Sequence, residues 1–173
     1  MNGGLLTTGT HERFMRMAMR QAERALQEGE VPAGCVIVNT DPERLDETGL
    51  LLGSAHNQVE RLKDPTAHAE MLAITQAASA LGDWRLTGTA LYVTKEPCAM
   101  CAGAIVLARI PLVVFGAADP RRGGAVSHFK ILDDPQLNHR CEVLGGILGD
   151  ACAALLKGFF RNRRSGGREG SVV

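Results

Sequence analysis

Residues 66–70 read TAHAE and residues 96–101 read EPCAMC. Together the two segments contain a histidine (His68), two cysteines (Cys98 and Cys101) and a carboxylate (Glu70). An imidazole and two thiolates are ligands that zinc prefers, and three protein ligands leave the fourth tetrahedral position open for an activated water. A carboxylate two residues from the histidine can move protons to and from that water. We therefore predict a catalytic zinc site, with Glu70 as the proton shuttle.

Weaker interpretations exist for each part of this pattern. A C-x-x-C alone is also found in redox pairs and in halves of structural zinc knuckles, and a lone histidine is more often a core residue than a ligand. A closed structural zinc site needs four ligands, and the sequence has no second C-x-x-C and no H-x3-H. The complete pattern, H-x-E followed by P-C-x-x-C, is the signature of zinc deaminases that act on nucleobases.

Length and composition favour one aliphatic domain. The 173 residues suit a single domain over 1–173, and the formal net charge of zero gives no general argument for nucleic-acid binding. The charge is uneven, however, because residues 157–173 hold five basic residues and one acidic residue. The other cysteines, Cys35, Cys141 and Cys152, form an odd, scattered set that suits free thiols in a reducing cytosol.

The sequence also argues against secretion and membrane insertion. Residues 1–10 lack a charged region followed by a long apolar stretch. The longest apolar region, residues 99–118, is interrupted by Arg109 and Pro111. We expect a cytoplasmic protein with no membrane span.

Hydrophobic periodicity and turn signals predict alternating helices and strands. The predicted helices cover 11–28, 68–81, 98–109 and 149–161, and the predicted strands cover 33–38, 50–56, 90–94, 111–116 and 142–144. Residues 39–49 read as a long hairpin loop, and residues 165–173 as a disordered tail. This order indicates an α/β sandwich around one mixed sheet, with a parallel strand pair on either side of the helix at 98–109.

The predicted elements place the candidate ligands at helix starts. His68 begins one helix, while Cys98 and Cys101 lie one turn apart at the start of another, so both sulfurs can reach one ion. The partial positive charge of a helix N-terminus also favours thiolate over thiol.

Segments beyond the zinc signature carry a more specific resemblance. The chain resembles the cytidine deaminase-like superfamily and, within it, the bacterial tRNA-specific adenosine deaminases. The matching segments are 30–32, 64–70, 91–94, 96–103, 108–110, 113–117, 137–139 and 159–161. The signature alone defines the superfamily, and the later segments indicate the tRNA branch. One departure is Lys95, since this family usually has leucine before Glu-Pro-Cys.

The resemblance implies a fold, an activity and a set of contacts. It implies a three-layer α/β/α sandwich around a five-stranded sheet, one zinc ion per subunit, a homodimer, and conversion of adenosine to inosine at the wobble position of the tRNA anticodon stem-loop. In the implied roles, Asn57 contacts the flipped nucleoside and the loop containing Asp119 lies against its neighbours. The helix that carries Phe159, Phe160 and Arg161 lies against the anticodon loop.

Alternatives remain open at this level. The same zinc set would serve a deaminase of a free base or nucleotide, of the guanine, cytosine or dCMP type. A zinc-containing scaffold or a non-catalytic RNA-binding subunit is disfavoured by the intact Glu70. Asn57 and Asp119 also suit ordinary turns, and either phenylalanine could simply anchor the last helix to the core.

Overall fold

The computed structural model describes residues 7–41 and 50–166, which form five helices and five strands. The helices are α1 (Thr8–Gln27), α2 (Val59–Leu62), α3 (Ala69–Leu81), α4 (Ala99–Leu107) and α5 (Gly149–Gly166). The strands are β1 (Gly34–Asn39), β2 (Leu51–His56), β3 (Thr89–Lys95), β4 (Leu112–Ala117) and β5 (Glu142–Gly145). A single 3₁₀ turn, Ile131–Asp133, precedes β5 within the described ranges.

All five strands form one mixed sheet in the order β2-β1-β3-β4-β5. The strand β1 is antiparallel to both β2 and β3, whereas β3, β4 and β5 run parallel to one another. A parallel pair needs a crossover connection, and α4 supplies the one between β3 and β4. The prediction of a mixed sheet with a parallel pair flanking this helix is confirmed.

The two faces of the sheet are covered by different helices. Side chains alternate along a strand, so β1 directs Cys35 and Ile37 to one face and Val36 and Val38 to the other. The first face packs against α3, α4 and the 3₁₀ turn, and the second packs against α1 and α5. The expected three-layer α/β/α arrangement is confirmed.

Small residues allow the helices to lie very close to the sheet. A Cβ at Gly34 would lie 2.0 Å from the carbonyl oxygen of Ala18 in α1. At Gly53 it would lie 2.4 Å from the carbonyl oxygen of Ala73 in α3. Only glycine fits these two contacts, which bring backbone of a helix against backbone of a strand.

The register brings several chain segments to one edge of the sheet. Gly34 at the start of β1 pairs with His56 at the end of β2, and Lys95 at the end of β3 pairs with Ala117 at the end of β4. The residues just outside these ends therefore meet at a common edge. Crevices outside the carboxyl ends of strands are where ligands bind in many open α/β sheets.

Most predicted boundaries lie within a few residues of the observed ones, with three differences. α1 begins at Thr8 because the side chain of Thr7 accepts a hydrogen bond from the backbone N–H of Thr10. The interval between β2 and α3, predicted as loop, contains α2. α5 continues to Gly166, so residues 165 and 166 are helical; the rest of the predicted disordered tail, and most of the loop at 39–49, lie outside the described residues.

None of the helices in the described ranges combines the length and the apolar character needed to cross a bilayer.

Candidate active site

The three predicted zinc ligands lie at the first turns of two helices on the same layer. His68 is the N-cap residue of α3 and Cys98 is the N-cap residue of α4, both with extended backbone. Cys101 follows in the first turn of α4 and is fully buried. Both helix N-termini direct their partial positive charge toward the ligands, which stabilises thiolates.

The ligand atoms are close enough to share one ion. Nδ1 of His68 lies 3.7 Å from Sγ of Cys98 and 3.5 Å from Sγ of Cys101. All three ligand atoms lie within 4.8 Å of one another. Among the described residues, no fourth histidine, cysteine or carboxylate joins this group. One imidazole nitrogen and two sulfurs at these separations are a suitable donor set for zinc with one coordination position open.

Hydrogen bonding among His68, Cys98 and Cys101 gives the two thiols very different pKa values. The hydrogen bond from Cys101 is the main cause that lowers the pKa of Cys98 to about 3, and the same bond raises the pKa of Cys101. The hydrogen bond with Cys98 likewise raises the pKa of His68. A zinc ion bound here would hold both sulfurs as thiolates and His68 as neutral imidazole.

Glu70 lies in the first turn of α3 and is only 5 % exposed. Burial raises the pKa of its carboxyl group above the ordinary value, while the charges of His68 and Lys95 act in the opposite direction. A carboxyl group with a raised pKa can both accept and release a proton near neutral pH. The predicted shuttle residue thus has the expected environment.

A cavity of about 290 Å³ opens at the common edge of the sheet, beside the three candidate ligands His68, Cys98 and Cys101. It is lined by residues from several segments, including Asn57, His68, Glu70, Cys98, Phe160 and Arg163. Two of the predicted metal ligands, the candidate shuttle and a predicted substrate contact therefore line one cavity, although they are distant in sequence. A volume of this size suits a group no larger than a nucleoside.

Asn57 is held in the cavity wall from two sides. Its backbone N–H donates to the carbonyl oxygen of Ala33 (3.0 Å), and its side-chain Nδ2 donates to the carboxylate of Glu30 (3.1 Å). The residue is 6 % exposed. An ordinary turn does not account for these features, because a buried carboxylate holds the Asn57 side chain and the residue lines the cavity.

Asp119 lies in a loop that follows β4 and is fastened to the site by Glu96. The buried carboxylate of Glu96 accepts hydrogen bonds from the backbone N–H groups of Asp119 (2.9 Å), Val126 (2.8 Å) and Ser127 (2.8 Å). Burial alone would raise the pKa of Glu96, but these bonds, together with the Ser127 hydroxyl, hold it below its ordinary value. Gly123 is required here because a Cβ would lie 2.4 Å from the Glu96 carboxyl carbon.

The side chain of Asp119 has its own partners. It accepts hydrogen bonds from the backbone N–H groups of Arg121 (3.1 Å) and Arg122 (3.2 Å), and it pairs with the ammonium group of Lys95. Lys95 itself lines the cavity. The structure thus favours the turn interpretation for the Asp119 carboxylate and gives Lys95, the departure from the family pattern, a defined contact at the cavity edge.

The three predicted contacts on α5 differ in position. Phe159 is 7 % exposed and packs inward, with the guanidinium of Arg163 5.1 Å from its ring centre. Phe160 is 48 % exposed and lines the cavity, whereas Arg161 lies on the exposed face of the helix and outside the cavity lining. The anchoring interpretation therefore suits Phe159, and of these two phenylalanines Phe160 is the one that lines the cavity.

Several residues that line or support the site were not predicted as site residues. These are Glu30, Glu96 and Arg122. Glu96 directly precedes a proline, and Glu30 lies two residues before one. Both carboxylates are next to predicted buried strands, and this position was the one feature of the sequence that could have marked them as site residues. The partners of these two carboxylates are backbone N–H groups and an amide far away in sequence, which periodicity does not identify.

Comparisons with known proteins agree with this geometry. Residues 8–117 match the family described as the cytidine and deoxycytidylate deaminase zinc-binding region. A tRNA-specific adenosine deaminase from Aquifex aeolicus is 49% identical over 154 residues, which cover 89% of this chain and 96% of that protein.

Two solved structures of deaminases are also similar to this chain. A structure from a study of A-to-I editing by tRNA:A34 deaminases at the wobble position superposes with a TM-score of 0.75 and 38% identity, covering 83% of this chain and 99% of that one. The guanine deaminase from Bacillus subtilis is 37% identical, with a TM-score of 0.55, but the match covers 62% of this chain and 64% of that one.

Proposed function

The chain belongs to the zinc-dependent cytidine deaminase family and, within it, to the tRNA-specific adenosine deaminases. From this premise we propose that it hydrolytically deaminates adenosine to inosine at the wobble position of a tRNA anticodon. The proposal depends above all on one observation, the presence of His68, Cys98 and the buried Glu70 in the wall of one cavity, with the sulfur of the buried Cys101 within 4.8 Å of the other two ligand atoms.

The donor set determines the role of the metal. His68, Cys98 and Cys101 would hold one zinc ion per subunit, and the ion would supply the Lewis acidity that makes water reactive at neutral pH. Among the described residues, no fourth histidine, cysteine or carboxylate joins this group, so a zinc ion bound here would have one coordination position left for water.

Glu70 would move the protons of the reaction. It would accept a proton from the water that adds to C6 of adenine and deliver it to N1 of the ring, and it would then accept the proton of the C6 hydroxyl group and deliver it to the departing amine. The C6–N6 bond then breaks, ammonia leaves, and C6 retains the oxygen as the carbonyl group of inosine. The raised pKa of Glu70 suits this exchange, because the carboxyl group must release the proton that it has accepted.

Cationic and aromatic side chains at the cavity favour an RNA substrate. Lys95, Arg122 and Arg163 line the cavity beside the exposed ring of Phe160. Single-stranded RNA loops are recognised by phosphate contacts and by stacking of splayed bases on aromatic rings. A free base has no phosphate group for Arg122 and Arg163 to contact, and Lys95 at the cavity edge already pairs with Asp119.

The remaining substrate contacts follow from the positions in the site. We assign Asn57 to the flipped nucleoside, Phe160 to stacking, and the loop containing Asp119 and the exposed face at Arg161 to flanking nucleotides of the anticodon stem-loop. Phe159 supports this surface from within the core. A homodimer of single-domain subunits in the cytoplasm completes the proposal, on the basis of the family relationship.

One assay separates this function from the main alternative, a deaminase of free bases or nucleotides. The purified protein is incubated with an anticodon stem-loop that carries a wobble adenosine and, separately, with guanine, cytidine and dCMP, and ammonia is measured. We expect ammonia with the stem-loop alone. Release from guanine without release from the stem-loop would support the relationship to guanine deaminase and refute the tRNA assignment.

A further inference from the structure

Glu30 is a buried carboxylate that directly contacts a predicted substrate-binding residue. It lies between α1 and β1 and is 1 % exposed. One oxygen, Oε2, accepts hydrogen bonds from Nδ2 of Asn57 (3.1 Å) and from the backbone N–H of Glu60 (3.2 Å). The other oxygen, Oε1, accepts a hydrogen bond from the backbone N–H of Arg61 (2.8 Å). Both oxygens are therefore acceptors, and three donors surround the group.

These contacts determine which end of the Asn57 amide faces the cavity. A carboxylate offers only acceptors, so the NH₂ group of Asn57 must point toward Glu30 and the carbonyl oxygen Oδ1 must point away. Within residues 7–41 and 50–166, Oδ1 has no hydrogen-bond partner, and no unpartnered polar side-chain atom there is fully buried. Because Asn57 lines the cavity, Oδ1 is the polar atom that it presents there.

The arrangement leaves the amide little freedom. The backbone of Asn57 is held by Ala33, and Glu30 is held by two backbone N–H groups in the first turn of α2. An amide that is fixed before substrate arrives loses no rotational freedom on binding, which increases the strength of the contact that it makes.

We infer that Glu30 is a positioning residue that orients Asn57 so that a hydrogen-bond acceptor faces the substrate. This inference rests on the proposed function. The group that Oδ1 would meet is a hydrogen-bond donor of the nucleoside, either the exocyclic amine of the base or a ribose hydroxyl. Glu30 itself contributes to the cavity lining, but both of its carboxylate oxygens accept hydrogen bonds from protein donors, so we assign it a role through Asn57.

A purely structural role for Glu30 would have a different signature. If its carboxylate served only to cap α2, its replacement would lower stability, and no change at Asn57 would restore what was lost. A positioning role couples the two residues, so a compensating change at Asn57 should recover activity.

The first test is the variant Glu30→Gln. Its amide oxygen is expected to keep the shorter bond from Arg61, which turns its NH₂ group toward the NH₂ group of Asn57, and two donors then face each other. We expect kcat/KM for the wobble-adenosine stem-loop to fall about 10- to 100-fold, with zinc content unchanged. Glu12→Gln, the same exchange at an exposed ion pair on α1, is the control and should leave kcat/KM unchanged.

The double variant Glu30→Gln/Asn57→Asp restores a donor–acceptor pair between the two side chains, with the donor now at position 30 and the acceptor at position 57. The amide introduced at position 30 then donates to the carboxylate introduced at position 57, and that carboxylate still presents an acceptor to the cavity. We expect kcat/KM to rise above that of Glu30→Gln and of Asn57→Asp, in which two carboxylates face each other. A double variant no more active than the weaker single variant would overturn the inference, as would a Glu30→Gln enzyme with wild-type kcat/KM.

A spectroscopic readout separates failure of this inference from failure of the proposed function. In ¹⁵N-labelled wild type, the Asn57 side-chain NH₂ resonance, assigned with Asn57→Asp, should exchange slowly with solvent, and this protection should be lost in Glu30→Gln. The measurement needs no substrate, so it decides the orientation of the amide even if the wild type fails to deaminate the stem-loop. Rapid exchange in the wild type would refute the inference.

A stem-loop with 2′-deoxyadenosine at the target position identifies the donor. If Oδ1 accepts from the 2′-hydroxyl group, the Glu30→Gln effect on kcat/KM should shrink with this substrate. If Oδ1 accepts from the base amine, the effect should persist. Either result supports the inference, and an absent effect with both substrates would overturn it.

Discussion

Glu70 shows how burial suits one residue to the chemical role that we propose for it. The carboxylate is two residues from His68 in sequence, which is visible without a structure. What raises its pKa is burial at the start of α3, where few water molecules can stabilise the charged form. The same carboxylate on an exposed helix would be ionised throughout the neutral range and would return a proton poorly.

We predict that Glu70→Gln keeps its zinc but loses about 10³-fold or more in kcat, because the amide fills the same space and cannot shuttle a proton. Metal analysis and ammonia release would be measured on the same preparation. Because glutamine has nearly the same size and shape as glutamate, we expect this variant to fold like the wild type. An active, zinc-loaded Glu70→Gln enzyme would remove the assigned role.

Asp64 acts on the site through the turn that leads to His68. Its carboxylate accepts hydrogen bonds from the hydroxyl group (2.7 Å) and the backbone N–H (2.8 Å) of Thr66. The Thr66 hydroxyl is the main cause that lowers the pKa of Asp64 below its ordinary value of 3.8. A lowered folded-state pKa means that the ionised group stabilises the fold above the unfolded pKa, and that this stabilisation disappears as pH falls through the folded pKa.

We therefore predict that Asp64→Ala is less stable than wild type at neutral pH and that this difference shrinks as pH falls below 3.8. Denaturant unfolding of both proteins, from about pH 7 down to about pH 3, measures the difference. Thr66→Val removes the hydroxyl donor and keeps the backbone N–H donor. The pH-dependent difference in free energy of unfolding between this variant and wild type should therefore be smaller than the difference for Asp64→Ala. A difference that is the same at all pH values would contradict the prediction.

At the scale of the element, α5 places two adjacent phenylalanines in opposite environments. Neighbouring residues on a helix are separated by about 100°, so one ring can pack inward while the next faces outward. Phe159 packs beneath Arg163, and Phe160 lines the cavity, with the two rings in edge contact at a centroid distance of 5.3 Å. The helix thus anchors itself with one ring and presents the other.

The pair allows a matched experiment. Phe160→Ala should weaken binding of the anticodon stem-loop about 5- to 100-fold, the value of one stacked base, with little change in stability. Phe159→Ala should lower the free energy of unfolding by about 3 kcal/mol. Stem-loop affinity and urea unfolding would be measured for both variants. Unchanged affinity in Phe160→Ala would exclude this ring from the RNA interface.

At the scale of the whole molecule, the site exists because one edge of the sheet gathers distant segments. The ends of β2, β3 and β4 and the start of β1 meet there, and α3 and α4 direct their N-termini toward the same point. The three ligands come from these two helices, so a bound metal would tie them together. Metal binding of this kind contributes to folding stability.

Removal of zinc is therefore expected to lower the melting temperature by roughly 5 °C or more, and to abolish activity. Thermal unfolding would be followed with and without a chelator, and after zinc is added back. The melting temperature of Cys98→Ser, which lacks one ligand, should respond much less to the chelator. A wild-type melting temperature that is insensitive to the chelator would argue against a metal bridge between α3 and α4.

The candidate ligands and the candidate shuttle could be identified from sequence because their spacing is local. His68 and Glu70 are two residues apart, and Cys98 and Cys101 are one helical turn apart, so helix geometry alone places each pair near the start of its element. The alternation of helices and strands followed from periodicity for a similar reason. Phe159 and Phe160 could not be separated in this way, since both are aromatic and adjacent, and only packing against the core distinguishes them.

The sequence by itself determined the proposed chemistry of this protein: a candidate three-ligand zinc set with a spare carboxylate, on alternating helices and strands. The tertiary structure alone decided which side chains surround that chemistry, namely that Glu30 holds Asn57, that Glu96 holds the loop at Asp119, and that Phe160 faces the cavity. The reason is physical. Metal ligation depends on residue type and local spacing, whereas the orientation of an amide or a ring depends on hydrogen bonds and packing between residues far apart in the chain.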